Sequence, residues 1–149
     1  MGAVASGGVR VLNHSIIQEL RIPSAVVDYI TEQEEQEIAR RERFYRRGRP
    51  LLDPARRTVL LVDDGLATGA TMLAAIRALR AREPERILVA IPVASAQAHA
   101  EVREEVEQMI CLATPEPFYA VGVWYERFPQ ISDEEVEELL ERAAHQHSH

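Results

Sequence analysis

Residues 58–72 carry the feature that most constrains the fold of this chain: an apolar run, two acids, a small-residue loop and the start of a helical pattern. Residues 58–62 are leucine or β-branched without polar alternation, which is typical of a strand covered on both faces of a parallel sheet. The run stops at Asp63 and Asp64. The loop that follows contains glycines and threonines and leads into a helical pattern. The stretch therefore predicts an α/β fold.

The loop after the acids has the properties of an anion site. Backbone N–H groups at a helix N-terminus lack intrahelical partners and carry partial positive charge, so they can bind phosphate without a lysine. Gly65 and Gly69 free the backbone, and Thr68 and Thr71 supply hydroxyls. Two carboxylates would repel phosphate, but they suit vicinal hydroxyls or a hydrated Mg²⁺. Ribose 5-phosphate suits both parts of the stretch, because its hydroxyls can donate to the carboxylates and its phosphate can accept from the loop.

Residues 62–71, Val-Asp-Asp-Gly-Leu-Ala-Thr-Gly-Ala-Thr, closely resemble the phosphoribosyl pyrophosphate (PRPP) binding motif of type I phosphoribosyltransferases. The resemblance implies that Asp63 and Asp64 are the catalytic acids, which meet the ribose hydroxyls and hold Mg²⁺ directly or through water. It places the 5-phosphate in a loop of five residues: Ala67, Thr68, Gly69, Ala70 and Thr71. The alternative is an ordinary strand, turn and helix cap, since Asp and Thr are common at such turns.

Length and composition limit the number of domains and the kinds of partner that this chain can have. Its 149 residues are one domain's worth, and 46% hydrophobic with 28% charged residues is typical of a soluble globular protein. The net charge of −7 argues against nucleic acid as a partner, because duplex binding depends on basic patches. No apolar run is long enough to span a bilayer, so we expect no membrane partner.

The absence of lysine and the single cysteine further limit the reactions and the cellular compartment that fit this chain. The 17 basic residues are all arginine, which excludes a Schiff-base lysine, a Walker A loop and the lysine of a receiver domain. The single cysteine, Cys111, lies in an apolar run and is interpreted as a small buried hydrophobe. This cysteine usage fits a reducing compartment, and we expect a cytoplasmic protein.

The N-terminal third predicts a hairpin and a long helix. Residues 2–13 are two β-prone runs around a Ser-Gly-Gly turn. The family resemblance implies a flexible arm there that closes over the substrate, although an ordinary structural hairpin fits equally well. A charged helix is predicted over residues 22–48, with pairs such as Glu37 with Arg41. Its arginines are interpreted first as a solvated face; the functional alternative is that one of three reaches pyrophosphate: Arg46, Arg47 or Arg49.

The pattern after the loop predicts a doubly wound parallel sheet. A helix to about residue 82, a strand over 86–93, a helix over 95–108 and a strand over 109–113 follow in order. Such spacing requires right-handed crossovers, and ligands in such sheets lie beyond the carboxyl ends of the strands. A closing helix is predicted over 133–143. We expect the domain to cover residues 1–144, and residues 145–149 to be a disordered tail.

Aromatic residues concentrate in residues 114–128, although aromatics make up only 5% of the chain. Phe118 and Tyr119 lie at the sheet edge that carries the acids and are candidates for stacking on a planar acceptor. For Tyr119 this reading and a structural one are evenly balanced. The structural alternative is that Phe118, Trp124 and Phe128 cap the core beneath the closing helix, and we expect this of Trp124.

The resemblance, which covers nearly the whole chain, implies the fold and reaction of a type I phosphoribosyltransferase. That reaction transfers the 5-phosphoribosyl group of PRPP to a nucleobase-like acceptor, with Mg²⁺ and release of pyrophosphate. The alternative is a non-catalytic module that binds PRPP or a nucleotide and regulates a partner. The chain begins after the family's first core strand, pyrophosphate loop and acceptor hood, so we expect an N-terminally truncated fold with weak turnover. Exposed sheet edges and apolar surface would then favour a homo-oligomer.

Overall fold

The computed structural model describes residues 2–5, 8–47 and 52–146, with helices and strands that alternate after residue 58. The elements in chain order are β1 (Gly2–Ala5), β2 (Val9–Leu12), α1 (His14–Glu19), α2 (Ser24–Arg46), β3 (Thr58–Val62), α3 (Ala70–Arg80), β4 (Arg86–Val93), α4 (Ala96–Glu104), β5 (Gln108–Ala113), a 3₁₀ helix (Val121–Trp124) and α5 (Asp133–Gln146). The predicted elements are present, with bounds shifted by a few residues. The short helix α1 and the 3₁₀ helix were not predicted.

Strands β3, β4 and β5 form a parallel sheet in that order. Alternate residues of β4 are buried, among them Ile87, Val89 and Ile91, and they pack in one core with side chains of α3 and α4. Ile76 of α3 and Val102 of α4 are fully enclosed in that core. Both crossover helices therefore cover the same face of the sheet. The predicted α/β fold with a parallel sheet is confirmed.

The opposite face of the sheet is open in the described part of the chain. Leu60 and Val62 of β3 are 55% and 70% exposed, and Ile110 and Leu112 of β5 are 50% and 80% exposed. The prediction that residues 58–62 are covered on both faces is therefore wrong. Parallel sheets normally bury both faces, so this surface of large apolar side chains, here called the open face, is unusual.

The predicted N-terminal hairpin is present and lies on α3. Strands β1 and β2 pair antiparallel, and both contact α3, while α2 contacts β1. The turn residues Ser6 and Gly7 lie outside the described residues. Helix α3 is thus sandwiched between the sheet and the hairpin, which brings β2 close to the loop that precedes α3.

Helix α5 packs against α2 and not over the aromatic segment. Arg40 of α2 donates to Asp133 of α5 at 2.9 Å, and Arg47 pairs with both Glu137 and Glu141. The expected pair between Glu37 and Arg41 is confirmed at 2.7 Å. Arg47 is therefore engaged in tying two helices together, as the structural interpretation of the arginine run requires. Arg49 lies outside the described residues.

The expectation that Trp124 caps the core beneath the closing helix is wrong, and Phe128 does not cap it either. Trp124 is 45% exposed and Phe128 is 48% exposed, because α5 lies on α2 instead.

Helix α5 reaches Gln146, two residues into the stretch expected to be a disordered tail, and residues 147–149 lie outside the described part. Among the described helices, none is both long and apolar enough to cross a bilayer.

Candidate functional site

The two acids lie directly after β3, at the carboxyl edge of the sheet, as predicted. Asp63 is half-buried and its Oδ1 accepts a hydrogen bond from the backbone N–H of Asp64 at 2.9 Å. Burial raises the pKa of the Asp63 carboxyl, and the hydrogen bond from Asp64 only partly opposes this. Asp64 is exposed. The pair therefore joins one solvated carboxylate to one that is partly desolvated.

The predicted phosphate loop leads into α3 through a glycine that no other residue replaces easily. Gly69 adopts φ of 72° as the N-terminal cap of α3, and a Cβ there would lie 3.3 Å from Cβ of Ala98. The first helical bond runs from the N–H of Leu73 to the carbonyl of Gly69 at 2.9 Å. The N–H of Ala70 donates to Oγ1 of Thr68 at 3.4 Å, whereas the N–H groups of Thr71 and Met72 stand at the helix N-terminus, where an anion can accept from them.

The connection between β4 and α4 holds this loop from one side. The N–H of Leu66 donates to the carbonyl of Val93 at 3.0 Å, and the N–H of Ser95 donates to the carbonyl of Leu66 at 2.9 Å. The hydroxyl of Ser95 also donates to the carbonyl of Ala67 at 2.8 Å and accepts from the N–H of Ala98 at 3.1 Å. Ser95 was predicted only as a helix start, because its contact with Ala67 spans 28 residues.

A groove of about 880 Å³ runs beside the loop between the hairpin, α3 and α4. Its lining residues are Gly2, Arg10, Val11, Leu12, Asn13, His14, Thr68, Ala70, Leu73, Arg77, Gln97 and Glu101. Thr68 and Ala70 belong to the predicted loop, whereas Asp63 and Asp64 do not line the groove. Thr71 instead lines a smaller cavity of about 380 Å³ between the hairpin and α2. The five loop residues therefore do not all face one cavity.

The aromatic segment meets the acids through a residue that sequence reasoning missed. The hydroxyl of Tyr125 donates to the backbone carbonyl of Asp64 at 2.6 Å. Tyr119 is 80% exposed, and Phe118 is half-buried and stacked on Trp124 with ring centroids 6.3 Å apart. The concentration of aromatics was the available signal, but it did not single out Tyr125.

The described residues contain no group of three or more His, Cys, Asp or Glu side chains arranged to hold a metal ion. Asp63 and Asp64 remain as a pair of carboxylates. Mg²⁺ is commonly held by one or two carboxylates together with water and substrate phosphates. The donor set of this pair is therefore of the kind that Mg²⁺ accepts, provided that the substrate and water supply the remaining oxygens.

Comparison with known proteins shows which family this chain belongs to. Residues 3–124 match the family model described as phosphoribosyl transferase domain. The chain belongs to that family. Two Mycobacterium tuberculosis proteins, from strains CDC 1551 / Oshkosh and ATCC 25618 / H37Rv, are each 37% identical over 142 residues and are each named "putative phosphoribosyl transferase". The matched region is 95% of this chain and 32% of each relative, so the chain spans about a third of their length.

A solved structure has the same fold. The crystal structure of the protein TT1426 from Thermus thermophilus superposes with a TM-score of 0.72 at 35% identity. The match covers 93% of this chain and 65% of that one. Residues 62–71 led us to expect the phosphoribosyltransferase family and its fold. Both expectations are confirmed, because the chain matches the phosphoribosyl transferase domain and shares the fold of a solved relative.

Proposed function

We propose that this domain binds PRPP and transfers its 5-phosphoribosyl group to a nucleobase-like acceptor with release of pyrophosphate. One observation carries the proposal: Asp63 and Asp64 leave β3 at the sheet edge immediately before a loop that ends in the N-terminus of α3. Acceptors for sugar hydroxyls and donors for a phosphate are thus only a few residues apart. A ribose 5-phosphate group presents the complementary groups at both ends.

In this proposal the protein acts by positioning and electrostatics. The carboxylates accept hydrogen bonds from the ribose hydroxyls, while residues 67–71 hold the 5-phosphate and fix the ring. The acceptor nitrogen then attacks C1 as the bond from C1 to the pyrophosphate oxygen breaks, and the acceptor's proton passes to solvent. A fixed ring removes orientational freedom before the reaction, and preorganised charges stabilise the transition state; both lower the barrier.

Mg²⁺ is proposed as the cofactor. Asp63 and Asp64 would hold it, directly or through water, and it would supply positive charge near the pyrophosphate oxygens. The raised pKa of Asp63 means that its carboxyl binds protons more readily than an ordinary aspartate. A bound cation would oppose that shift and favour the ionised form.

Two arginines of the groove are proposed to neutralise the pyrophosphate end of the ligand. Arg10 of β2 and Arg77 of α3 line the groove that Thr68 also lines. Their ion pairs are long and exposed: Arg10 lies 3.3 Å from Asp28, and Arg77 lies 3.8 Å from Glu105. Exposed pairs of this kind contribute little, so either guanidinium can change partner at small cost. The hairpin would then serve as the substrate-closing arm expected from the family resemblance.

The acceptor site is proposed to lie against the aromatic segment. Tyr119 presents its ring to solvent and can stack on a planar base. The ring of Phe118, by contrast, is already stacked on Trp124. A small nitrogen heterocycle is the acceptor class that this ring would bind. We place the reaction in the cytoplasm, on the basis of the chain's cysteine usage.

A homo-oligomer is proposed because of the open face. Large apolar side chains from two edge strands are exposed there, and burying them against a second copy would remove apolar area from water. The partners are thus PRPP, the acceptor and a second subunit, and neither nucleic acid nor a membrane is expected.

The test is to measure binding and turnover separately. Calorimetry with ribose 5-phosphate should give saturable binding, and labelled pyrophosphate should exchange into PRPP when Mg²⁺ and a panel of nucleobases are present. Binding without exchange would favour the second candidate, a non-catalytic module that senses PRPP or a nucleotide. No binding of ribose 5-phosphate at millimolar concentration would contradict both candidates.

A further inference from the structure

The hydroxyl of Tyr125 donates a hydrogen bond to the backbone carbonyl of Asp64 at 2.6 Å. The two residues are 61 positions apart in the sequence, and Asp64 is the second acid of the pair. The ring of Tyr125 is half-buried and rests against Phe128, with centroids 5.2 Å apart. The contact therefore joins the segment after β5 to the turn that carries both acids.

The neighbouring residue, Gly65, makes a second contact with the same segment. A Cβ on Gly65 would lie 2.9 Å from Cγ1 of Val121 and 2.8 Å from the carbonyl oxygen of Val93. The 3₁₀ helix therefore packs directly on the backbone of Gly65, beside the bond from Tyr125. Two consecutive residues of the acid turn are thus held by residues 121–125.

The hydrogen bonds that hold the acid turn and those that hold the phosphate loop come from different parts of the molecule. Leu66 and Ala67 bond to the β4–α4 connection through Val93 and Ser95. Asp64 bonds instead to Tyr125. Since the carboxylate of Asp64 is exposed to solvent, its direction depends mainly on how its backbone is fixed.

We propose that Tyr125 is a positioning residue for the acid pair. Its hydroxyl fixes the peptide that joins Asp64 to Gly65 and so sets the direction of the carboxylates toward the ribose hydroxyls. This inference rests on the proposed function, in which those carboxylates accept from the ribose. The phosphate loop does not depend on the hydroxyl, because it is held by Ser95.

The proposal predicts that removal of the Tyr125 hydroxyl weakens binding of ribose 5-phosphate but not of inorganic phosphate. Tyr125→Phe keeps the ring contact with Phe128 and removes only the hydroxyl, so the acid turn gains freedom without a cavity. Affinity for ribose 5-phosphate should fall about fivefold, the size expected for the loss of one hydrogen bond. Affinity for inorganic phosphate should stay within about twofold, since that anion uses only the loop.

The experiment compares Tyr125→Phe with Tyr29→Phe, which makes the same chemical change at a tyrosine of α2 that is 63% exposed and lies outside the site. Calorimetric dissociation constants are measured for ribose 5-phosphate and inorganic phosphate. The expected result is weaker ribose 5-phosphate binding in Tyr125→Phe alone. Unchanged binding would overturn the proposal, and so would an equal loss for both ligands, because that would make Tyr125 a support of the whole loop.

A ligand-free measurement separates this proposal from the proposed function. The NMR order parameter of the Gly65 amide should fall in Tyr125→Phe, while that of Leu66, which bonds to Val93, should not. A wild-type protein that binds no ribose 5-phosphate would contradict the proposed function. An unchanged order parameter at Gly65 would overturn the role of Tyr125 whatever the ligand result.

Discussion

The hydroxyl of Ser95 donates to the carbonyl of Ala67 while it accepts from the N–H of Ala98. One side chain thus caps α4 and holds the loop proposed to bind phosphate. The stability of α4 and the order of the loop are therefore coupled through a single oxygen.

Ser95→Ala should lower both stability and phosphate affinity. Loss of the cap should reduce the free energy of unfolding by about 1 kcal/mol. Loss of the bond to Ala67 should weaken binding of inorganic phosphate by roughly two- to fivefold. Chemical denaturation and calorimetry measure the two effects.

Ser132→Ala is the matched control for that substitution. Ser132 accepts from the N–H of Glu135 at the start of α5, at 3.3 Å, away from the phosphate loop. It should lose comparable stability with no change in phosphate affinity. Equal phosphate affinity in the two variants would contradict the coupling.

Asp63→Asn should stabilise the fold while it weakens ligand binding. The pKa of Asp63 is raised in the folded state, so ionisation at neutral pH opposes folding. Removing the charge should raise the free energy of unfolding by a few tenths of a kcal/mol, after allowance for solvent screening. This gain should vanish as the pH is lowered below the usual aspartate pKa of 3.8. Ribose 5-phosphate binding should fall about tenfold or more.

Denaturation at several pH values and calorimetry test the Asp63 prediction. Asp53→Asn is the control, because Asp53 also accepts from a backbone N–H, that of Ala55, but lies outside the site. A destabilised Asp63→Asn variant would contradict the burial argument. Unchanged ligand affinity would remove Asp63 from the site.

Glu107→Gln should destabilise the protein in a pH-dependent way. The Glu107 carboxylate accepts from the N–H of Ile87 at 2.6 Å and from Arg80 at 2.7 Å, and these bonds lower its pKa below the usual 4.5. Because the folded-state pKa is depressed, the stabilisation is present above that usual value and is lost as the pH falls through the folded-state pKa. At neutral pH the loss should be about 1 kcal/mol.

Thermal unfolding between neutral and acidic pH checks the Glu107 prediction against Glu104→Gln, an exposed acid on α4. The difference between wild type and Glu107→Gln should disappear in acid. A constant difference across the pH range would show that the charge of Glu107 is not the source of the stabilisation.

The double substitution Leu60→Gln with Leu112→Gln should shift the protein toward monomer. Both side chains lie on the open face, so their replacement removes apolar area from the proposed contact without disturbing the core. Analytical ultracentrifugation measures the change. Leu20→Gln with Leu52→Gln is the control, since both leucines are exposed elsewhere, at 65% and 78%. An effect of equal size in the control would contradict an interface at the open face.

Local pattern was enough to predict most of the elements and the placement of the acids. The run over residues 58–62, the two acids and Gly69 specify strand, edge and helix start within one short stretch, and the structure has all three. The alternative of an ordinary cap is harder to exclude, because local geometry is the same in both cases. The family match shows the family, and the role of the loop in binding phosphate stays a prediction.

Non-local packing is what the sequence could not provide. An apolar run does not reveal whether a second layer covers it, so the exposure of Leu60 and Val62 was missed. The partner of Asp64 is 61 residues away, and nothing in the local pattern favours Tyr125 over Tyr119. Likewise, the bond from Tyr45 to Asp133 that helps to place α5 spans 88 residues.

The close packing around Gly65 has a consequence for how this sequence can evolve. An added Cβ would meet the backbone oxygen of Val93, which cannot move without disturbing the end of β4, and the side chain of Val121, which can be exchanged for a smaller one. Substitutions at position 121 should therefore be tolerated in homologues, whereas position 65 should remain glycine wherever β4 keeps its course. A homologue with a side chain at position 65 should also show a displaced turn after the strand that corresponds to β3.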